Sequence, residues 1–158
     1  MRISRNLLHK LPKVELHCHL DGSLRIPTII DLANKDKINI PTSNHDQLSK
    51  LLTIGKKRGS LEEYIKRFDI TLSVMQTPQA LERTSYELIE DVSKENVRYI
   101  EVRYSPILHT EKGMTISDSV EAVRAGLKRG EKDFGVKSGI IVCGIRNISS
   151  GASLKLAD

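Results

Sequence analysis

The run Val14-Glu15-Leu16-His17-Cys18-His19-Leu20-Asp21 alternates strictly between apolar and polar side chains. Successive side chains of an extended segment point to opposite faces. One face of such a strand carries Val14, Leu16, Cys18 and Leu20, and the other carries Glu15, His17, His19 and Asp21. A helix would scatter the same residues around its circumference. Two imidazoles and two carboxylates are too costly to bury without partners. The strand therefore divides an apolar packing surface from a polar surface with chemical potential, and the turn residue Gly22 closes it.

The remaining elements fit around such a strand. The first strand is expected at Lys13–Leu20, a second at Val97–Tyr104 and a third at Lys137–Ile145. A short helix follows Pro27, and a brief helical segment carries Leu48, Leu51 and Leu52. Ser60 and Glu63 read as a capping box. They open a helix whose stripe is Leu61, Tyr64, Ile65, Phe68, Leu72 and Met75. Thr77-Pro78 starts another helix, an N-cap followed by a first-turn proline, with Leu81, Leu88, Ile89 and Val92 on its buried side. Thr115 to Asp118 open a further helix with Val120, Val123, Leu127 and Phe134 on one side, and Gly135 stops it. Ser149 and Ser150 offer N-caps for one more.

Strands alternating with helices imply parallel pairing through helical crossovers, an α/β protein. No glycine-rich phosphate fingerprint follows the first strand. In the second, Glu101 and Arg103 share a face opposite Ile100, Val102 and Tyr104. Both features favour part of a TIM-type (β/α)8 barrel, whose inward face carries the active site at its C-terminal end. Such a barrel needs about 250 residues. The 158 residues present are expected to form about the first three strands with their helices, residues 1–158 being the N-terminal part of a single barrel domain.

Several functional classes recede on composition. The net charge of +5 comes from basic residues interleaved with acids, with no tryptophan and 4% aromatic residues. That offers no stacking platform for nucleic acid. No apolar run approaches the ~20 residues of a membrane span, and the basic N-terminus lacks a signal-peptide core. Cys18 and Cys143 sit in apolar strand patterns and read as buried free thiols of a reducing compartment, so a cytoplasmic protein is expected.

Residues two apart on a strand lie roughly 7 Å apart, and two imidazoles can converge on one ion from that spacing. His17 and His19 thus read as half of a metal site. Zinc leads because neutral imidazole suits it, with iron, cobalt or nickel as alternatives. His9, His45 and His109 read as surface histidines. Asp21 stands where it can accept hydrogen bonds from a ligand above the strand, or serve as a turn aspartate. Glu15 is assigned to a buried polar network with a partner such as an arginine.

The segments "PKVELHCHLDGSLRIPTI", "YIEVRYSP" and "GIIVCGIRN" resemble the opening and the second and third strands of adenosine deaminases. The helix "SLEEYIKRFD" sits where that family lines its pocket. The resemblance implies that His17 and His19 are ligands of one Zn2+. It also implies that Asp21 bonds a ribose hydroxyl with His19 close by, and that Leu61, Tyr64, Ile65 and Phe68 shape the pocket mouth. Arg103 and Arg146 match family arginines and are expected to pair with interior carboxylates.

The implied reaction is hydrolytic deamination of adenosine and 2′-deoxyadenosine to inosine and 2′-deoxyinosine, a purine-salvage step on a small-molecule nucleoside. The family's remaining ligands and its proton-donating glutamate would lie beyond Asp158. No catalytic residue is therefore expected in this chain, which alone should be inactive. An adenine or AMP aminohydrolase of the same fold is the nearest alternative, and a non-catalytic truncated remnant is another. Absence of Cys-x-x-Cys removes the deaminase class built on that motif. Oligomeric state is not legible.

Overall fold

The computed structural model describes residues 3–53, 61–146, 148–154 and 156, with residues 61–64 and 66 described by their backbone alone. Three parallel strands form one sheet in the order β1-β2-β3. These are β1 (Lys13–His19), β2 (Val97–Tyr104) and β3 (Lys137–Val142). Helices α2 (Ile26–Lys35), α3 (His45–Leu52), α4 (Leu61–Val74) and α5 (Pro78–Lys94) connect β1 to β2, and α6 (Ile116–Phe134) connects β2 to β3. A helix α1 (Arg5–Lys10) precedes β1, a 3-10 turn (Pro106–His109) follows β2, and α7 (Ser150–Leu154) follows β3.

Local sequence explains the helix boundaries. Thr77 accepts a hydrogen bond from the Ala80 backbone N–H, and Pro78 occupies the first turn of α5, where its missing N–H costs nothing. Thr115 and Asp118 form a reciprocal capping box at the start of α6. Gly135 ends that helix with φ +71°, a left-handed conformation that glycine adopts without penalty. Ser60 lies outside the described residues, so its capping box has no structural counterpart here.

Helices α5 and α6 pack over β2 and β3, whereas Val14 and Leu16, expected on the apolar packing face of β1, are 61% and 58% exposed. Ile100, Val102 and Tyr104 of β2 are buried in one core with Leu81, Leu88 and Ile89 of α5 and Val123 and Leu127 of α6. Burying each large apolar side chain stabilises by roughly 1.5–3 kcal/mol. Val92, Val120 and Phe134 are only half-buried. A polar seam joins α2 to α5. Arg25 donates to Asp91 at 2.6 and 2.8 Å and to Glu90 at 2.8 Å, Arg83 bridges Asp31 and Glu87, and Thr28 donates to Glu87 at 2.6 Å.

Four sequence expectations need correction. β1 ends at His19 rather than Leu20, because the chain turns at Asp21-Gly22. β3 ends at Val142 rather than Ile145. The Cys143 N–H still donates to the Tyr104 carbonyl at 3.0 Å, after which the chain leaves the sheet. Cys143 therefore lies outside the strand, and both cysteines are half-buried free thiols rather than fully buried ones. Helix α1 was not anticipated, and none of its residues is buried.

Candidate active site

The polar faces of β1 and β2 meet at their C-terminal ends. His19 pairs with Arg103 across the sheet, and Leu20 N–H donates to the Arg103 carbonyl at 3.0 Å. The β1–β2 register slips between Glu15 and Cys18, where three steps of β1 oppose two of β2. A bulge of this sort re-aims side chains. Here the Glu15 carboxylate accepts from the His17 backbone N–H at 3.1 Å. Glu15 is exposed and not in a buried arginine network; its register partner is the core residue Ile100 rather than Arg103.

His17 and His19 do converge. Their ring centroids are 5.3 Å apart, and both Nε2 atoms face one nitrogen, Arg103 Nη1, at 3.3 and 2.8 Å respectively. A guanidinium only donates, so both Nε2 atoms act as acceptors and the protons sit on Nδ1. Burial, then the nearby Arg103 charge, holds His19 below the usual imidazole range. Its neutral form is the form that can bind a metal. His19 Nδ1 lies 3.6 Å from Asp21 Oδ1, an electrostatic contact too long for a hydrogen bond, in the orientation that carboxylates commonly take behind a ligating histidine.

Arg103 also donates from Nε to Cys143 Sγ at 3.1 Å. The arginine thus partners two imidazoles and a thiol, not the interior carboxylate expected of it. Arg146 is exposed on the turn after β3, again away from an interior carboxylate. Among the described residues no group of three or more His, Cys, Asp or Glu side chains is close enough to hold a metal ion. The donor set nevertheless fits a borderline cation, since two neutral nitrogens already aim at a shared positive group.

Beside this pair lies a pocket of about 330 Å³, walled by Asp21, Leu24, Ile29, Leu52, Phe68 and Thr71 among others. Ligand pockets typically span about 300–1,000 Å³ with apolar walls and few polar groups. Phe68 lies with its ring 6.5 Å from that of His19 and lines the pocket. Ile65 is 54% exposed and is not among the walls. The side chains of Leu61 and Tyr64 lie outside the described residues.

Of the three histidines assigned to the surface, His9 and His45 are exposed, whereas His109 is completely buried. Its Nδ1 lies 3.0 Å from the Met75 carbonyl oxygen.

The family model described as "Adenosine deaminase" matches residues 12–157. The chain belongs to the adenosine deaminase family. A Clostridium botulinum (strain Hall) adenosine deaminase is 50% identical over 139 residues, covering 88% of this chain and 42% of that protein. Among solved structures, an adenine deaminase from Arthrobacter aurescens superposes with a TM-score of 0.80 at 26% identity, covering 91% of this chain and 43% of that one. A Burkholderia ambifaria amidohydrolase with bound Zn gives 0.74 at 27%, covering 90% and 39%. The chain spans less than half the length of each of these three proteins. Its three parallel strands are a partial TIM-type barrel. Among the described residues no helix is long and apolar enough to cross a membrane.

Proposed function

We propose that this chain provides the first-strand part of the active site of a zinc-dependent hydrolase that deaminates adenosine and 2′-deoxyadenosine. The convergence of His17 and His19 Nε2 on one cationic nitrogen, at 3.3 and 2.8 Å, carries this reading. The same two atoms would hold the metal. When bound, a zinc ion supplies a water acidic enough to act as a nucleophile near neutral pH.

The chain's own residues bind and orient the substrate. Asp21 faces the pocket and accepts a hydrogen bond from a ribose hydroxyl, while its contact with His19 holds that imidazole in the Nδ1–H tautomer. Phe68 and Leu24 exclude water from the purine and its sugar. Arg103 steadies both imidazoles from the neighbouring strand. No residue of this chain is assigned to protonate the purine ring, so the 158-residue polypeptide alone is expected to be inactive. The protein acts in the cytoplasm on a small-molecule nucleoside, as one step of purine salvage, with residues 1–158 part of a single barrel domain.

The test is metal retention and turnover in the full-length protein. His17→Ala and His19→Ala each lose zinc on dialysis and lower deamination of adenosine by at least about a thousandfold, the scale of losing a major electrostatic contribution. Retained zinc with unchanged turnover in either variant would refute the reading. Rates on adenine, adenosine and AMP decide the substrate. Faster release of ammonia from adenine or AMP would assign the chain to the chemistry named for the Arthrobacter aurescens neighbour or to a nucleotide aminohydrolase.

A further inference from the structure

Three side-chain atoms are buried without a hydrogen-bond partner among the described residues: Asp21 Oδ1, Ser105 Oγ and His109 Nε2. His19 pairs with Arg103 and the Leu20 N–H donates to the Arg103 carbonyl at 3.0 Å, so Asp21 and Ser105 both follow just past the paired ends of β1 and β2. The His109 ring packs 5.5 Å from that of Tyr104, the residue before Ser105, and it senses the Asp21 charge.

Proton counting shows what they lack. His109 Nδ1 faces a carbonyl oxygen, which only accepts, so Nδ1 carries the proton and Nε2 of the neutral ring is a lone pair. The Asp21 carboxylate also only accepts. Aspartate and histidine therefore cannot bond each other directly. Burial keeps His109 from taking a second proton by pushing its pKa down. Ser105 brings one donor for two acceptors. A single water supplies two donors and accepts one bond, the complement of this trio, and buried waters typically make about three hydrogen bonds to otherwise unpartnered groups.

We propose that Asp21, Ser105 and His109 bind one internal water, and that through it His109 and Ser105 act as positioning residues that aim Asp21 at the substrate hydroxyl. This rests on the reading of Asp21 given under Proposed function. The water donates to Asp21 Oδ1 and His109 Nε2 and accepts from the Ser105 hydroxyl. It leaves the second Asp21 oxygen to the ligand.

The test uses the full-length, metal-loaded protein and kcat/KM for adenosine and its 2′-, 3′- and 5′-deoxy analogues. Asp21→Asn first identifies the hydroxyl that Asp21 reads, by lowering kcat/KM for adenosine and sparing one analogue. His109→Asn keeps an amide N–H for the Met75 carbonyl and removes the Nε2 acceptor. It is expected to reproduce that selective loss, about tenfold and mainly in KM, with the same analogue spared and no further loss when combined with Asp21→Asn. Ser105→Ala, the milder change, carries the same expectation should His109→Asn fail to fold.

Nitrogen NMR of the wild type is expected to find His109 with its proton on Nδ1. An Nε2–H tautomer would overturn the proposal whatever the kinetics. If Asp21→Asn is unselective, the functional reading of Asp21 fails and the positioning role goes with it. If Asp21→Asn is selective but His109→Asn and Ser105→Ala slow all analogues equally, the positioning role alone is refuted.

Discussion

Helices α5 and α6 form the most extensive helix pair among the described residues, and Gly126 sets how closely they approach. A Cβ at Gly126 would lie 2.1 Å from the Glu82 carbonyl oxygen, 2.6 Å from Ser85 Oγ and 2.9 Å from the Glu82 carbonyl carbon. Ordinary carbon contacts begin near 3.5 Å. The first and last of these obstacles are backbone, so no side-chain rotation relieves them, and α5 must retreat by roughly 1 Å. Gly126→Ala gains about 1 kcal/mol of helix propensity. Against that stands an overpacking cost at the upper end of the usual range, about 3 kcal/mol, because buried Leu81 and Ile89 must move with the helix. The net expectation is a loss of about 2 kcal/mol, a fall in Tm of roughly 4–8 °C for a domain of this size. Urea and thermal denaturation followed by circular dichroism measure both. Gly151→Ala is the control: nothing lies within 4 Å of a Cβ there, so its change stays within about 0.5 kcal/mol. A Gly126→Ala protein as stable as wild type, or more so, would show that the close approach does not set the spacing.

Burial lowers the pKa of His109 below its unfolded value of about 6.5. The unfolded chain therefore binds more protons as pH falls through 6.5, and stability drops from there towards the folded pKa; urea midpoints between pH 7.5 and 5 should show this decline, His19 contributing with the same sign and His109→Asn reducing it. Thr115→Ala removes the side-chain acceptor of the α6 capping box and should cost about 1 kcal/mol, read as a shift of the urea midpoint with unchanged slope. Cys18, whose thiol burial pushes up, should be alkylated by iodoacetamide more slowly than Cys143, as mass spectrometry of timed digests would report; equal rates would contradict the environments described.

β2 was legible to the residue, since its alternation is simple: Ile100, Val102 and Tyr104 are buried, and Glu101 and Arg103 are half-buried on the other face. The α6 caps were equally plain, because Thr115 and Asp118 stand at the required spacing. The site was legible as residue types but not as pairings. Alternation assigns a face to Glu15, yet it carries no information about register, so the slip after Glu15 escaped notice and with it the exposure of that carboxylate. Arg103 was placed on the inner face correctly, but its partners come from β1 and from beyond β3, and nothing local in "EVRYSP" specifies them. His109 was misjudged for a related reason. A single histidine in a connection looks solvated until the packing of Tyr104 and Met75 around it is known. Helix α1 buries none of its residues; its apolar Leu7 and Leu8 stay exposed, so the apolar residues in this short basic segment do not mark a packed face.

The slipped pairing in β1 has a mechanical corollary. With a second slip between Lys13 and Val14, it divides one short strand into separately registered segments, Val14 to Glu15 on one side and Cys18 to His19 on the other. A distortion that begins near α1 is absorbed at the joint before it reaches the imidazoles. Sequence drift at the foot of the sheet can therefore accumulate while the aim of the nitrogen donors at its rim stays fixed.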